Sequence, residues 1–158
     1  MRFPDRDGLL AALPESHKTF LRDLAWVHEC ELPAGCAAVG EPASRLVAVH
    51  AGLRSLSEPS EPQLRVLRGG ATAVLDAAAA IPQLSGRGDV LPTPRDLNDA
   101  KGDGRPPRPV TLLVSGHHGM FDVSNPTRML VDSSAGRHGR RIGAVVFPGR
   151  TQVFSDPD

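Results

Sequence analysis

Two stretches hold the residues best suited to do chemistry. Val47-Ala48-Val49-His50-Ala51-Gly52-Leu53 and Leu112-Leu113-Val114-Ser115-Gly116-His117-His118-Gly119 each carry a histidine out of a short apolar run into a glycine-containing turn. A bounded apolar run of this length reads as a buried strand, and open sheets place functional groups at the C-terminal ends of their strands. Two such strands side by side would bring His50 and His117 together from distant parts of the chain. A pair of imidazoles at a sheet rim is the beginning of a site for a borderline divalent cation. A lone histidine in such a place is more often structural. It is the repeated strand-then-glycine pattern that singles out this pair. His118, next in the chain, could orient a neighbour or meet a substrate.

Other chemistries find less support. There is no Gly-x-Ser-x-Gly elbow, and Ser115 sits in Val-Ser-Gly-His-His rather than on a strand-to-helix turn. No Gly-x-x-x-x-Gly-Lys-Ser/Thr loop occurs to cradle a phosphate. His138-Gly139-Arg140-Arg141 could touch phosphate, but a solvated turn is the plainer reading of three polar residues around a glycine. Metal-assisted hydrolysis fits best, because imidazole nitrogens suit cations that polarise phosphoryl oxygens.

The elements that must position these residues can be read in order. Residues 4–14 commit to little. Ser16 is placed to cap a helix over 17–28, with Phe20, Leu21, Leu24 and Val27 at helical spacing. Trp26, the single tryptophan, reads as packing for that helix rather than as a stacking platform for substrate. Residues 30–44 read as loop or weak edge hairpin, and Arg45 to His50 as a strand. Ser60-Glu61-Pro62-Gln63 fits a capping box opening a helix that Gly69-Gly70 ends. Ala71 to Ala80 reads as a further helix. Residues 82–109, rich in proline and glycine, form a long loop of the kind that is either disordered or binds something. Val110 to Ser115 is the second firm strand. Arg128 to Asp132, Ile142 to Phe147 and Thr151 to Phe154 follow as a meander. The fold class expected is α+β, mixed and layered, rather than regular βαβ alternation.

At 158 residues the chain is one domain's worth. Its 18 basic and 18 acidic residues balance, so no net field draws it to nucleic acid or anionic lipid. Cys30 and Cys36 would close only a very small ring. With no apolar run near 18 residues and no secretory leader, the chain reads as a cytosolic protein off the membrane, with the nucleus open to it as well.

A resemblance now becomes specific. Val-His-Ala-Gly-Leu (49–53), Ser-Gly-His-His-Gly (115–119) and Leu-Val-Asp-Ser-Ser-Ala-Gly-Arg (130–137) occur in the order seen in the C-terminal half of the phosphoprotein phosphatases. These belong to the calcineurin-like metallophosphoesterases. Pro14-Glu15-Ser16-His17-Lys18-Thr19-Phe20-Leu21, Trp26-Val27-His28-Glu29 and Leu84-Ser85-Gly86-Arg87 resemble the Rhizobiales-like branch of plants, which has tyrosine-phosphatase character. The likeness runs from about residue 10 to the end.

The resemblance implies half of a β-sandwich flanked by helices and a protein phosphatase acting on phosphorylated protein substrates. It implies that His50 and His117 ligate a divalent metal ion (manganese, iron or zinc), that Arg87 binds phosphate, and that His118 and Asp132 support the site from outside it. Three family motifs do not occur here: Gly-Asp-x-His, Gly-Asp-x-x-Asp-Arg-Gly and Gly-Asn-His-(Asp/Glu). The chain therefore reads as an N-terminally truncated form with an incomplete metal site, inactive alone. The alternative is a non-catalytic interaction module or remnant that keeps the fold surface.

Overall fold

The computed structural model describes residues 6–33, 43–55, 59–70, 82–98, 110–134, 139–146 and 151–154. The two histidine-bearing runs are strands, β2 (Arg45–Val49) and β3 (Thr111–Ser115). They lie side by side and parallel, with Val49 opposite Ser115, so both chains leave the sheet at the same edge. β-branched and leucine side chains suit them to a sheet buried on both faces. On one face Val47, Val49 and Leu113 pack with Leu53, Leu64, Leu67 and Leu97. On the other, Leu46 and Leu112 pack with Ala43 and Met129.

β1 (Val27–Glu31) runs antiparallel to β2 at one edge. β5 (Arg128–Val131) runs parallel to β3, and the two-residue β4 (Phe121–Asp122) closes the other edge antiparallel to β5. The sheet order is thus β1-β2-β3-β5-β4. A separate antiparallel hairpin, β6 (Gly143–Val146) with β7 (Thr151–Phe154), meets this edge. Phe154 packs against Phe121 with the rings tilted at 56° and their centroids 4.7 Å apart. Mixed pairing with segregated helices accords with the α+β expectation. The meander does not form as expected: β6 and β7 pair with each other, while β5 joins the main sheet beside β3.

Three helices are described: α1 (Arg6–Ala12), α2 (Glu15–Asp23) and α3 (Ser60–Gly69). The helix expected over 17–28 stops earlier and starts earlier. Ser16 lies inside its first turn and caps nothing, since Pro14 holds the N-cap position. Val27 and His28 belong to β1, because Val27-His28-Glu29-Cys30-Glu31 has five ladder partners on β2. A strand fixed by a neighbour outweighs helical spacing. α2 buries none of its residues, and Phe20 stays 66 % and Leu21 52 % exposed. Trp26 lies past the helix and packs on the Val47–Val49 cluster.

α3 starts one residue earlier than the capping box requires, with Pro59 rather than Ser60 as N-cap. The orphan donors at its start are met from afar. Asp96 Oδ2 accepts from the Ser60 amide at 2.6 Å and from its hydroxyl at 2.8 Å. Gly70, at φ 54°, ends the helix as expected.

The long loop is part of the body over residues 82–98. It makes a helical turn at 82–85 and 3-10 turns at Gly88–Val90 and Arg95–Leu97, and it buries Gln83, Val90, Pro94 and Leu97. Its prolines punctuate short turns rather than release the chain. The expected helix from Ala71 to Ala80, the rest of the loop over 99–109, and Cys36 lie outside the described residues. Cys30 is exposed and carries a free thiol. Among the described residues no helix is long and apolar enough to cross a membrane.

Candidate functional site

The sequence expectation that β2 and β3 bring their histidines together is met. His50 leaves β2, and His117 follows β3 after one glycine. The Gly116 amide donates to the His50 carbonyl at 3.0 Å, which ties the two exits together. His117 takes φ 65°, in the left-handed region that costs a non-glycine residue energy. That backbone turns its ring back over the end of β2. His50 Nε2 and His117 Nδ1 meet at 3.1 Å, with the ring centroids 5.0 Å apart.

Two nitrogens about 2.0–2.1 Å from one zinc-like ion, at angles between square and tetrahedral, stand about 2.9–3.4 Å apart. The observed separation falls inside that interval, so the spacing of the pair is compatible with one divalent ion. Without an ion, the same spacing is a hydrogen bond in which one ring donates and the other accepts. Among the described residues no third histidine, cysteine or carboxylate converges with them. The described chain thus brings two nitrogen ligands.

His117 is suited to remain neutral. Burial lowers its pKa below the ordinary 6.5, and the positive charge of Arg87 adds to this, followed by His50 and His118; the Ser85 backbone opposes. A neutral imidazole is the ligating form. Its Nε2 is buried and, among the described residues, makes no well-formed hydrogen bond.

His118 and Asp132 hold the frame. His118 Nε2 donates to the Ala51 carbonyl at 2.7 Å, which joins the β3 exit to the β2 turn. Asp132 accepts from the Gly119 amide at 2.7 Å and the Ser134 amide at 2.8 Å, and so shapes both loops beside His117. Arg87 lines a polar cleft of about 420 Å³ with His117, His118 and Asp132. On the other side of the pair, His50 lines an apolar groove with Trp26, Leu21, Leu24 and Leu84.

Two supports were not visible in the sequence. Arg128, at the start of β5, is 5 % exposed. Its Nη2 donates to Ser115 Oγ at 2.6 Å and to the Ala51 carbonyl at 3.4 Å, and its Nε donates to the Leu91 carbonyl at 3.0 Å. One guanidinium thereby fastens the end of β3, the turn after His50 and the loop carrying Val90. Burial brings its pKa down to about 10, so it stays charged at neutral pH. Nothing in Arg-Met-Leu-Val distinguishes it from an ordinary edge residue. The second support is a pair of buried amides. The Gln83 carbonyl accepts from the Ala51 amide at 2.9 Å, while Gln83 Nε2 donates to Gln63 Oε1 at 2.9 Å. Gln63, assigned to a cap by its spacing, instead also receives the Arg54 amide at 2.7 Å.

No family model matches the chain, and no curated protein matches it.

Proposed function

We propose that His50 and His117 ligate one divalent ion in a site of the calcineurin-like metallophosphoesterase kind, and that this site serves phosphomonoester hydrolysis on phosphorylated proteins, with tyrosine-phosphatase character. The observation that carries the reading is the approach of His50 Nε2 to His117 Nδ1 at 3.1 Å, at the ends of two adjacent parallel strands. The resemblance of the surrounding motifs supplies the reaction class, and the finer fold in this proposal is half of that family's β-sandwich.

Each residue then has a task. His50 Nε2 and His117 Nδ1 present lone pairs to the ion, and the lowered pKa of His117 keeps its lone pair free. Arg87 faces the same cleft as His117 and offers a planar fork to phosphoryl oxygens. His118 and Asp132 keep their hydrogen bonds to the chain and fix the loops rather than ligate. A divalent ion bound here would supply Lewis-acid polarisation of the phosphoryl group. The described residues offer it two nitrogens, so turnover of p-nitrophenyl phosphate by this chain alone is expected to stay at background.

Titration of the chain with Co²⁺, read by visible absorption, tests the ligands. One equivalent is expected to bind, and His50→Ala and His117→Ala are each expected to weaken binding by tenfold or more. Binding untouched by both substitutions would remove the basis of the proposal.

A further inference from the structure

We propose that Arg140 is a second oxyanion-binding residue, and that with Arg87 it clamps the oxygens of a tetrahedral phosphoryl group in the cleft beside His117. The inference takes its ligand class from the proposed function above.

Arg87 and Arg140 line one cleft of about 420 Å³ together with His117, His118, Asp132 and Ser134. That volume is in the range of small-ligand sites. Arg45, Arg54 and Arg68 all stand in ion pairs with Glu29, Asp89 or Glu61. Arg87 and Arg140 have no ion pair among the described residues, although both face a carboxylate across the cleft. Asp132 lines the same cleft, and its two oxygens accept the Gly119 and Ser134 amides. The cleft therefore sets two guanidiniums against one carboxylate.

Two guanidiniums entering from different parts of the fold can each present a pair of N–H groups to one tetrahedral anion. Arg87 comes from the loop ahead of the Gly88–Val90 turn, and Arg140 from the segment leading into β6.

Isothermal titration of the full chain, kept metal-free with chelator, tests the clamp with inorganic phosphate and with phenyl phosphate. Arg140→Gln is expected to weaken both ligands about tenfold, as does Arg87→Gln, with Arg140→Lys in between. Arg22→Gln, on the exposed face of α2, controls for net charge and is expected to change binding less than twofold. Unfolding curves confirm that the variants stay folded. Phosphate binding as strong in Arg140→Gln as in Arg22→Gln would overturn the clamp. Weakening of phenyl phosphate alone would also overturn it, since the contact would then be with the ring. Cobalt binding separates the two ideas. Loss of phosphate but retention of cobalt in Arg140→Gln is the expected pattern. If the chain binds phosphate through Arg140 but takes up no cobalt, the metal proposal falls and the clamp stands.

Discussion

At the scale of single residues, the site depends on one imidazole held neutral and one guanidinium held buried. The His117 pKa lies below 6.5, chiefly because burial disfavours the cation and then because Arg87 repels it. The unfolded chain protonates this ring near pH 6.5, whereas the folded chain resists until lower pH. Within that window the unfolded state binds more protons, so stability rises with pH and is lost as pH falls. NMR titration is expected to place the His117 midpoint below that of an ordinary histidine. His117→Gln is expected to flatten the change in urea midpoint over roughly pH 5–7. Arg128 is a larger stake. Arg128→Met keeps much of the volume but strands the acceptors Ala51, Leu91 and Ser115, and is expected to cost on the order of 3 kcal/mol in urea unfolding. A cost under about 1 kcal/mol would show that water replaces the guanidinium. His50 and His117 were legible because each follows an apolar run and precedes a glycine. Arg128 was not, because a charged residue at a strand start gives no sign that it turns inward.

At the scale of elements, the position of the histidines depends on two turns. Gly52 sits at φ 149°, where a Cβ would come 2.1 Å from the Val90 carbonyl oxygen. The main chain of the 82–98 loop thus presses directly against the turn after His50, and neither side has a flexible end to yield. Gly52→Ala is expected to destabilise the protein by about 2–4 kcal/mol and to weaken cobalt binding as well, since the His50 exit must shift. Thermal unfolding and the cobalt titration together check this. β2 and β3 could be read because each is a run of apolar residues bounded by glycine or polar neighbours. The end of α2 could not, since Val27 continues a helical spacing that the pairing of β1 overrides. α3 was found, but its cap was misassigned: the acceptor is Asp96, from a loop that sequence proximity does not connect to Ser60. β4, two residues long, is set entirely by its neighbour β5.

At the scale of the whole molecule, the described body is a mixed sheet whose parallel centre supplies the site and whose edges supply surface. Arg68 bridges Glu29 and Glu61 between α3 and β1, and it holds both carboxyls below the usual range, with Arg45 assisting at Glu29. These side chains are between a quarter and nearly three-fifths exposed, so the network orients α3 on the sheet more than it stabilises it. The order of the strands, with β5 rather than a hairpin partner beside β3, was not legible. It is decided by which apolar faces meet in space, and local spacing does not encode that. What carries over from sequence to structure is the convergence of two strand ends on one point.

The most direct test of that convergence is imidazole ¹H–¹⁵N NMR of the full chain during addition of Zn²⁺. His50 Nε2 and His117 Nδ1 are expected to shift together with one equivalent of metal, while His118 Nε2, held on the Ala51 carbonyl, keeps its resonance. A shift at only one of the pair, at neither, or at His118 instead would contradict a shared ion at the ends of β2 and β3.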